Sequence, residues 1–74
     1  MRMTTATTIA IQLNGAAREV ASGTTLLALI EEMKLDRELL AVEVNRDLVP
    51  RRALAERTLQ PGDQVEIVEF VGGG

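Results

Sequence analysis

The stretch that decides the fold is the last one, Val65-Glu66-Ile67-Val68-Glu69-Phe70-Val71-Gly72-Gly73-Gly74. Val65 and Ile67 alternate with charged neighbours, the period of a half-buried strand, and that strand runs straight into three glycines. Glycine weakens a strand and adds nothing to a core, so residues 72–74 read as a flexible glycine tail. Two readings of the tail are open. It is either a frayed end or a lead that carries the carboxylate of Gly74 into another protein's active site.

A strand at the end of the chain needs a partner, and the other end supplies one. Ile9, Ile11 and Leu13 alternate with Ala10 and Gln12. Asn14-Gly15 follows, a strong hairpin signal because both residues tolerate positive φ. Ala17 to Ala21 reads as the returning strand, with Val20 its main apolar member. Ser22-Gly23-Thr24-Thr25 opens a helix, with either threonine able to cap its free N–H groups. Leu26, Leu29, Ile30 and Met33 form one apolar stripe, widened by Leu27, and residues 35–39 close the helix. Leu40, Val42 and Val44 alternate as another strand, Asn45-Arg46-Asp47 turns the chain, and Leu48-Val49 is a short strand stopped by Pro50. Residues 51–58 read as a polar connection with room for one helical turn at Ala53-Leu54-Ala55. Gln60-Pro61-Gly62-Asp63 turns into the last strand.

The order β-β-α-β-β-β places the chain in the α+β class. One helix covering one face of a mixed sheet of four to five strands buries both apolar sets. The first and last strands alternate most strongly and are expected to pair in parallel at the sheet's centre. That is a β-grasp, the ubiquitin-like architecture, with residues 1–8 a loose leader, 9–71 the domain and 72–74 the tail.

Composition narrows the chemistry. The 74 residues include no cysteine and no histidine. Disulfides, thiolate metal sites and thiol nucleophiles are therefore excluded, and the commonest general base is missing. Stability must come from apolar burial, for which 46% hydrophobic residues are available, with Phe70 the single aromatic. A net charge of −3, one adjacent basic pair (Arg51-Arg52) and no Trp or Tyr argue against nucleic-acid binding. The apolar runs are too short for a membrane span or a signal-peptide core, so a soluble cytoplasmic protein is expected. Glu31-Glu32 and Glu66/Glu69 read as solvated charge, Ser22 as a turn or capping residue, and the glycines precede no helix that could bind phosphate. An independent enzyme is not expected, nor a metal site.

With Val65 and Ile67 turned to the helix, Val68 and Phe70 face away from it. Exposed apolar and aromatic side chains of this kind mark partner sites. The plainer alternative is that Phe70 folds over the sheet edge as a minor core member.

Several segments together resemble one family: Asn14-Gly15, Gly23-Thr24-Thr25-Leu26, Val42-Glu43-Val44-Asn45-Arg46-Asp47-Leu48-Val49-Pro50-Arg51, Pro61-Gly62-Asp63-Gln64-Val65-Glu66-Ile67-Val68 and the glycine end. The chain is similar from Ile9 onward to the ThiS family of thiamine-biosynthesis sulfur carriers. The most specific part is Val44-Asn45-x-x-Leu48-Val49-Pro50-Arg51 in register with Gly62-Asp63 and a terminal Gly-Gly. The leader and the extra Gly72 depart from the pattern without disturbing the register.

The resemblance implies that an E1-like (ThiF-like) adenylyltransferase activates the carboxylate of Gly74, the site of modification. Sulfur relayed as persulfide from a cysteine desulfurase would displace AMP and leave a thiocarboxylate. A thiazole synthase (ThiG-like) would take that sulfur to build the thiazole ring. Gly72, Gly73, Val68 and Phe70 would touch these partners. ATP and Mg²⁺ would belong to the adenylating enzyme, with no cofactor bound by this chain, which would be a monomer when free. Two alternatives stay open. One is a carrier like the small subunit of molybdopterin synthase; the other is a non-covalent β-grasp module whose glycine end is incidental.

Overall fold

A computed structural model describes residues 7–70. Strands β1 (Thr8–Leu13) and β2 (Ala16–Ala21) form a hairpin. Helix α1 (Leu26–Glu32) follows. Then come β3 (Leu40–Val44), β4 (Asp47–Val49) and β5 (Gln64–Glu69). The sheet order is β2-β1-β5-β3-β4. β5 lies at the centre, parallel to β1 through Gln12 with Gln64 and Leu13 with Val65, and antiparallel to β3 from Leu40–Glu69 to Val44–Val65. This mixed five-stranded sheet under one helix is the β-grasp expected from the sequence, with the parallel pair where it was expected. The strands start slightly earlier than the apolar alternation suggests: β1 takes in Thr8, paired with Ala21. Among the described residues no helix is long and apolar enough to cross a membrane.

Both two-residue turns of the sheet depend on residues that accept left-handed backbone. Asn14 and Gly15 both have positive φ, 51° and 84°, as a primed hairpin turn requires. Asn45 and Arg46 repeat the device between β3 and β4, at 53° and 73°. An asparagine suits the first of the two positions because its short polar side chain tolerates that region.

The core forms where the sheet's alternation meets the helix stripe. Leu26, Leu29 and Ile30 of α1 are fully buried against Ile11, Leu13, Val20, Val42, Val44, Val65 and Ile67. Met33 and Leu27 pack at the margin, as the stripe's geometry implies. Removing one such buried aliphatic side chain to alanine costs about 2–5 kcal/mol, a large part of a small domain's stability.

Two expectations for the loops are corrected. Residues 51–58 are not merely a polar connection. After a 3₁₀ turn at Arg51–Ala53, Leu54 is buried in the core, and so is Leu59 just beyond the segment. The segment also closes the start of α1. The first helical N–H groups have no partner inside the helix, and here the N–H of Leu26 donates to the carbonyl of Arg57 and that of Leu27 to Leu54. Thr25 caps the third, its hydroxyl accepting from the N–H of Ala28 at 3.1 Å.

The helix also ends sooner than expected. Residues 35–39 do not extend it: α1 stops at Glu32, capped by Met33. Lys34 turns left-handed at φ 61°. The N–H of Lys34 donates to Glu31 and that of Leu35 to Ile30, the paired bonds that close a helix when a residue adopts that conformation. A separate 3₁₀ turn at Arg37–Leu39 follows, its N-terminus held by the carboxylate of Asp36 accepting from the N–H of Glu38. The stripe gives no sharp stop, because it simply ends at Met33 and no glycine follows to mark the turn.

Candidate functional site

The candidate site is the C-terminal end of β5, held from both sides. On the β3 side the ladder runs to the pair Leu40–Glu69, and one further bond follows, the N–H of Phe70 donating to the carbonyl of Leu39 at 2.7 Å. On the β1 side the strand pairing stops at Val65. There the N–H of Asn14 donates to the carbonyl of Val65, and the Asn14 side-chain oxygen accepts the N–H of Ile67 at 2.8 Å. A side chain thus continues the ladder past the hairpin turn. The strand is fixed in place up to the residues from which the glycine segment departs.

The start of β5 is held by a polar cluster. Asp63 is buried, and its carboxylate accepts from the Asn45 side-chain amide at 3.0 Å and from the N–H of Gln60 at 2.8 Å. The Arg57 guanidinium lies 3.6 Å away. Asn45 in turn accepts from the N–H of Gln64. Buried carboxylates need such donors to offset their desolvation, and these fasten the β3–β4 turn to the entry of β5.

Of the residues singled out from the sequence, Val68 and Phe70 are both 54% exposed. Val68 alternates with buried Ile67 and faces away from the helix. Phe70 is not folded into the core. Gly72, Gly73 and Gly74 lie outside the described residues. The structure adds two exposed apolar residues that sequence reasoning did not single out. Leu39, hydrogen-bonded through its backbone to Phe70, is 41% exposed, and Leu48, opposite Glu43 in the ladder, is 67% exposed. The pair Leu48-Val49 holds a missed signal, since only one of two adjacent strand residues can face the core, whereas Leu39 lies in the turn before β3 and has no period to place it. The described part of the site therefore offers apolar surface beside an ordered strand end. That is the chemistry of a docking surface.

The chain matches the model of the ThiS family over residues 11–74. It is 39% identical over 62 residues to a thiazole synthase of Paramagnetospirillum magneticum. That alignment takes in 84% of this chain but 19% of the relative, so the chain spans about a fifth of that protein's length. It is 31% identical over 64 residues to the sulfur carrier protein ThiS of Escherichia coli, covering 86% of this chain and 97% of that one. Among solved structures, the thiamine biosynthesis protein ThiS of Geobacter metallireducens superposes with a TM-score of 0.75 at 30% identity, over 89% of this chain and all of the other.

Proposed function

This chain belongs to the ThiS family, and on that premise we propose that it is a sulfur carrier of thiamine biosynthesis, loaded at the carboxylate of Gly74. The observation that supports this most directly is that the family match runs through residue 74, just beyond a strand end that is anchored on both sides. The relative named thiazole synthase contains a region similar to this chain as a fifth of its length. That favours a thiazole synthase, over a molybdopterin synthase, as the enzyme that takes the sulfur.

The chemistry follows from what a carboxylate lacks. It is a poor electrophile until one oxygen becomes a leaving group. In the proposed sequence a carboxylate oxygen of Gly74 attacks the α-phosphorus of ATP and pyrophosphate leaves. The terminal sulfur of a protein persulfide then attacks the acyl carbon and AMP leaves. A second thiol on the partner attacks the bridging disulfide, forms its own disulfide, and releases the thiocarboxylate. The adenylating enzyme binds ATP and Mg²⁺. This chain contributes the acyl group and a docking surface at Val68 and Phe70. Glycines at 72 and 73 present no Cβ to the walls of a narrow channel, and with no cysteine in the chain the carried sulfur resides on the terminal carbonyl.

The test is an intact-mass measurement after incubation with ATP, the cognate adenylating enzyme and a persulfide source. The expected result is a gain equal to the difference between sulfur and oxygen, located at Gly74. Active partner and no gain in mass would leave only the non-covalent module. Supplying the loaded chain to a thiazole synthase and to a molybdopterin synthase separates the two carrier branches.

A further inference from the structure

The 3₁₀ turns at Arg37–Leu39 and Arg51–Ala53 enclose a feature the carrier reading does not use. Arg37, Arg51 and Arg52 line an open cleft of about 330 Å³ together with Glu38 and Ala55. All five are exposed. Arg51 is paired with Glu38. Arg37 and Arg52 have no ion-pair partner among the described residues. The cleft therefore has two positive charges in excess, on a chain whose net charge is −3.

Its position gives that charge a use. The turn Arg37–Leu39 leads directly into β3, whose first residue, Leu40, pairs with Glu69 at the end of β5, and Leu39 is bonded to Phe70. The cleft thus lies at the end of the sheet from which residues 71–74 depart. Those four residues reach at most about 14 Å at full extension. A protein that works on Gly74 must come about that close to Phe70, and so reaches the end of the sheet that the cleft shares.

We propose that this cleft docks a cluster of carboxylates on the surface of the enzyme that activates Gly74. The inference rests on the carrier reading. Guanidinium groups form two-pronged bonds with carboxylates, and arginine beside exposed aromatic and aliphatic side chains is the usual composition of a protein interface. The openness of the cleft favours a protein surface over a small anion, since exposed charges gain little from one ion in water. A broad acidic surface would instead engage both free arginines at once and be drawn in from a distance.

The experiment compares the whole chain with Arg37→Glu/Arg52→Glu and Arg37→Lys/Arg52→Lys, measuring association with the cognate adenylating enzyme in the absence of ATP. Arg51 and Glu38 are left in place, and melting temperatures confirm equal folding. The expected result is an association rate about tenfold lower for the Glu variant at low salt. The deficit should shrink at high salt, and the Lys variant should stay near the original. Equal rates for all three proteins overturn the inference. So does saturation of the cleft by micromolar inorganic phosphate, seen as shifts of the amides at 37–39 and 51–53, which would assign it to a small anion. The mass measurement with ATP decides the carrier reading separately: a chain that binds with the expected charge dependence but gains no sulfur loses that reading and keeps the docking site. A chain that binds no adenylating enzyme at all loses both.

Discussion

The side-chain oxygen of Asn14 accepts a hydrogen bond from the backbone N–H of Ile67, 2.8 Å away and 53 positions along the chain. One residue thereby does two jobs. Its backbone, at φ 51°, makes the hairpin turn, and its side chain continues the ladder along the strand that leads to the glycines. The two can be separated. Asn14→Gly keeps the turn and removes the acceptor, at an expected cost of about 1 kcal/mol. Asn14→Ala also forces an alanine into left-handed backbone, adding about 1–2 kcal/mol. Urea unfolding with an unchanged m-value measures both, and the Ile67 amide should exchange faster with solvent in each. Equal stabilities for the two variants would mean that the turn conformation is irrelevant.

A second expectation concerns the cluster at the other end of β5. Asp63→Ala leaves the Asn45 amide and the N–H of Gln60 without their acceptor. The expected loss is about 1–2 kcal/mol, because two bonds to a buried carboxylate are lost while the donors, on the exposed residues Asn45 and Gln60, can turn to water. Asn45→Ala removes one of the same bonds and the one to Gln64. The double variant should therefore lose less than the two single losses added together, by at least about 0.5 kcal/mol. Strict additivity would show that the two side chains act independently.

Lys34 offers a stabilising change. It occupies the left-handed position that ends α1, at φ 61°, where glycine is the usual residue. Lys34→Gly removes the Cβ penalty of about 1–2 kcal/mol but adds freedom to the unfolded chain. A net gain of about 0.5–1 kcal/mol is expected. A β-branched Lys34→Val should instead destabilise. Thermal unfolding of the three proteins checks the order Gly, Lys, Val, and any other order argues against the helix end described above.

These three sites show what sequence reasoning reaches. Alternation at residues 9–13, 40–44 and 65–67 reports directly on which face is buried, so the strands, their central parallel pair and the outward turn of Val68 were legible. For Phe70 the choice between the outer face and the sheet edge rests on its exposure in the structure. Leu54 and Leu59 were not legible. Leu54 sits between two alanines in a polar segment and Leu59 between Thr58 and Gln60, with no period to announce them, and both are drawn into the core because their loop closes over the start of α1. Nor was the helix end legible, since a lysine stands where a glycine would have signalled it. The Asn14–Ile67 bond and the approach of Arg37 to Arg52 depend on tertiary placement of segments far apart in sequence, which local pattern does not encode.

The contrast between Leu54 and Phe70 tests the division between core and docking surface. Leu54 is buried and Phe70 half exposed. Leu54→Ala should cost about 2–5 kcal/mol and, at temperatures where it stays folded, leave binding to the adenylating enzyme unaltered. Phe70→Ala should change stability by no more than about 0.5 kcal/mol and weaken that binding by more than tenfold, in the range of interface aromatic anchors. The reverse pattern would make Phe70 part of the core.

The last expectation separates the terminal carboxylate from everything that presents it. Adding a single alanine after Gly74 leaves every described contact of the fold in place, since those involve residues 7–70. Melting temperature and affinity for the adenylating enzyme should therefore stay close to those of the original chain. The acyl group at position 74 would then be an amide carbonyl, and the chain's carboxylate, now on the added alanine, would lie about 3.5 Å past the reacting position. Loading should fall to background, read as loss of the sulfur-for-oxygen gain in intact mass. Gly74→Ala keeps a terminal carboxylate and adds one methyl group. It should load more slowly if the channel is narrow, yet still load. An extended chain that accepts sulfur at the full rate would place the modification elsewhere and overturn the mechanism, whatever the fate of the docking surface.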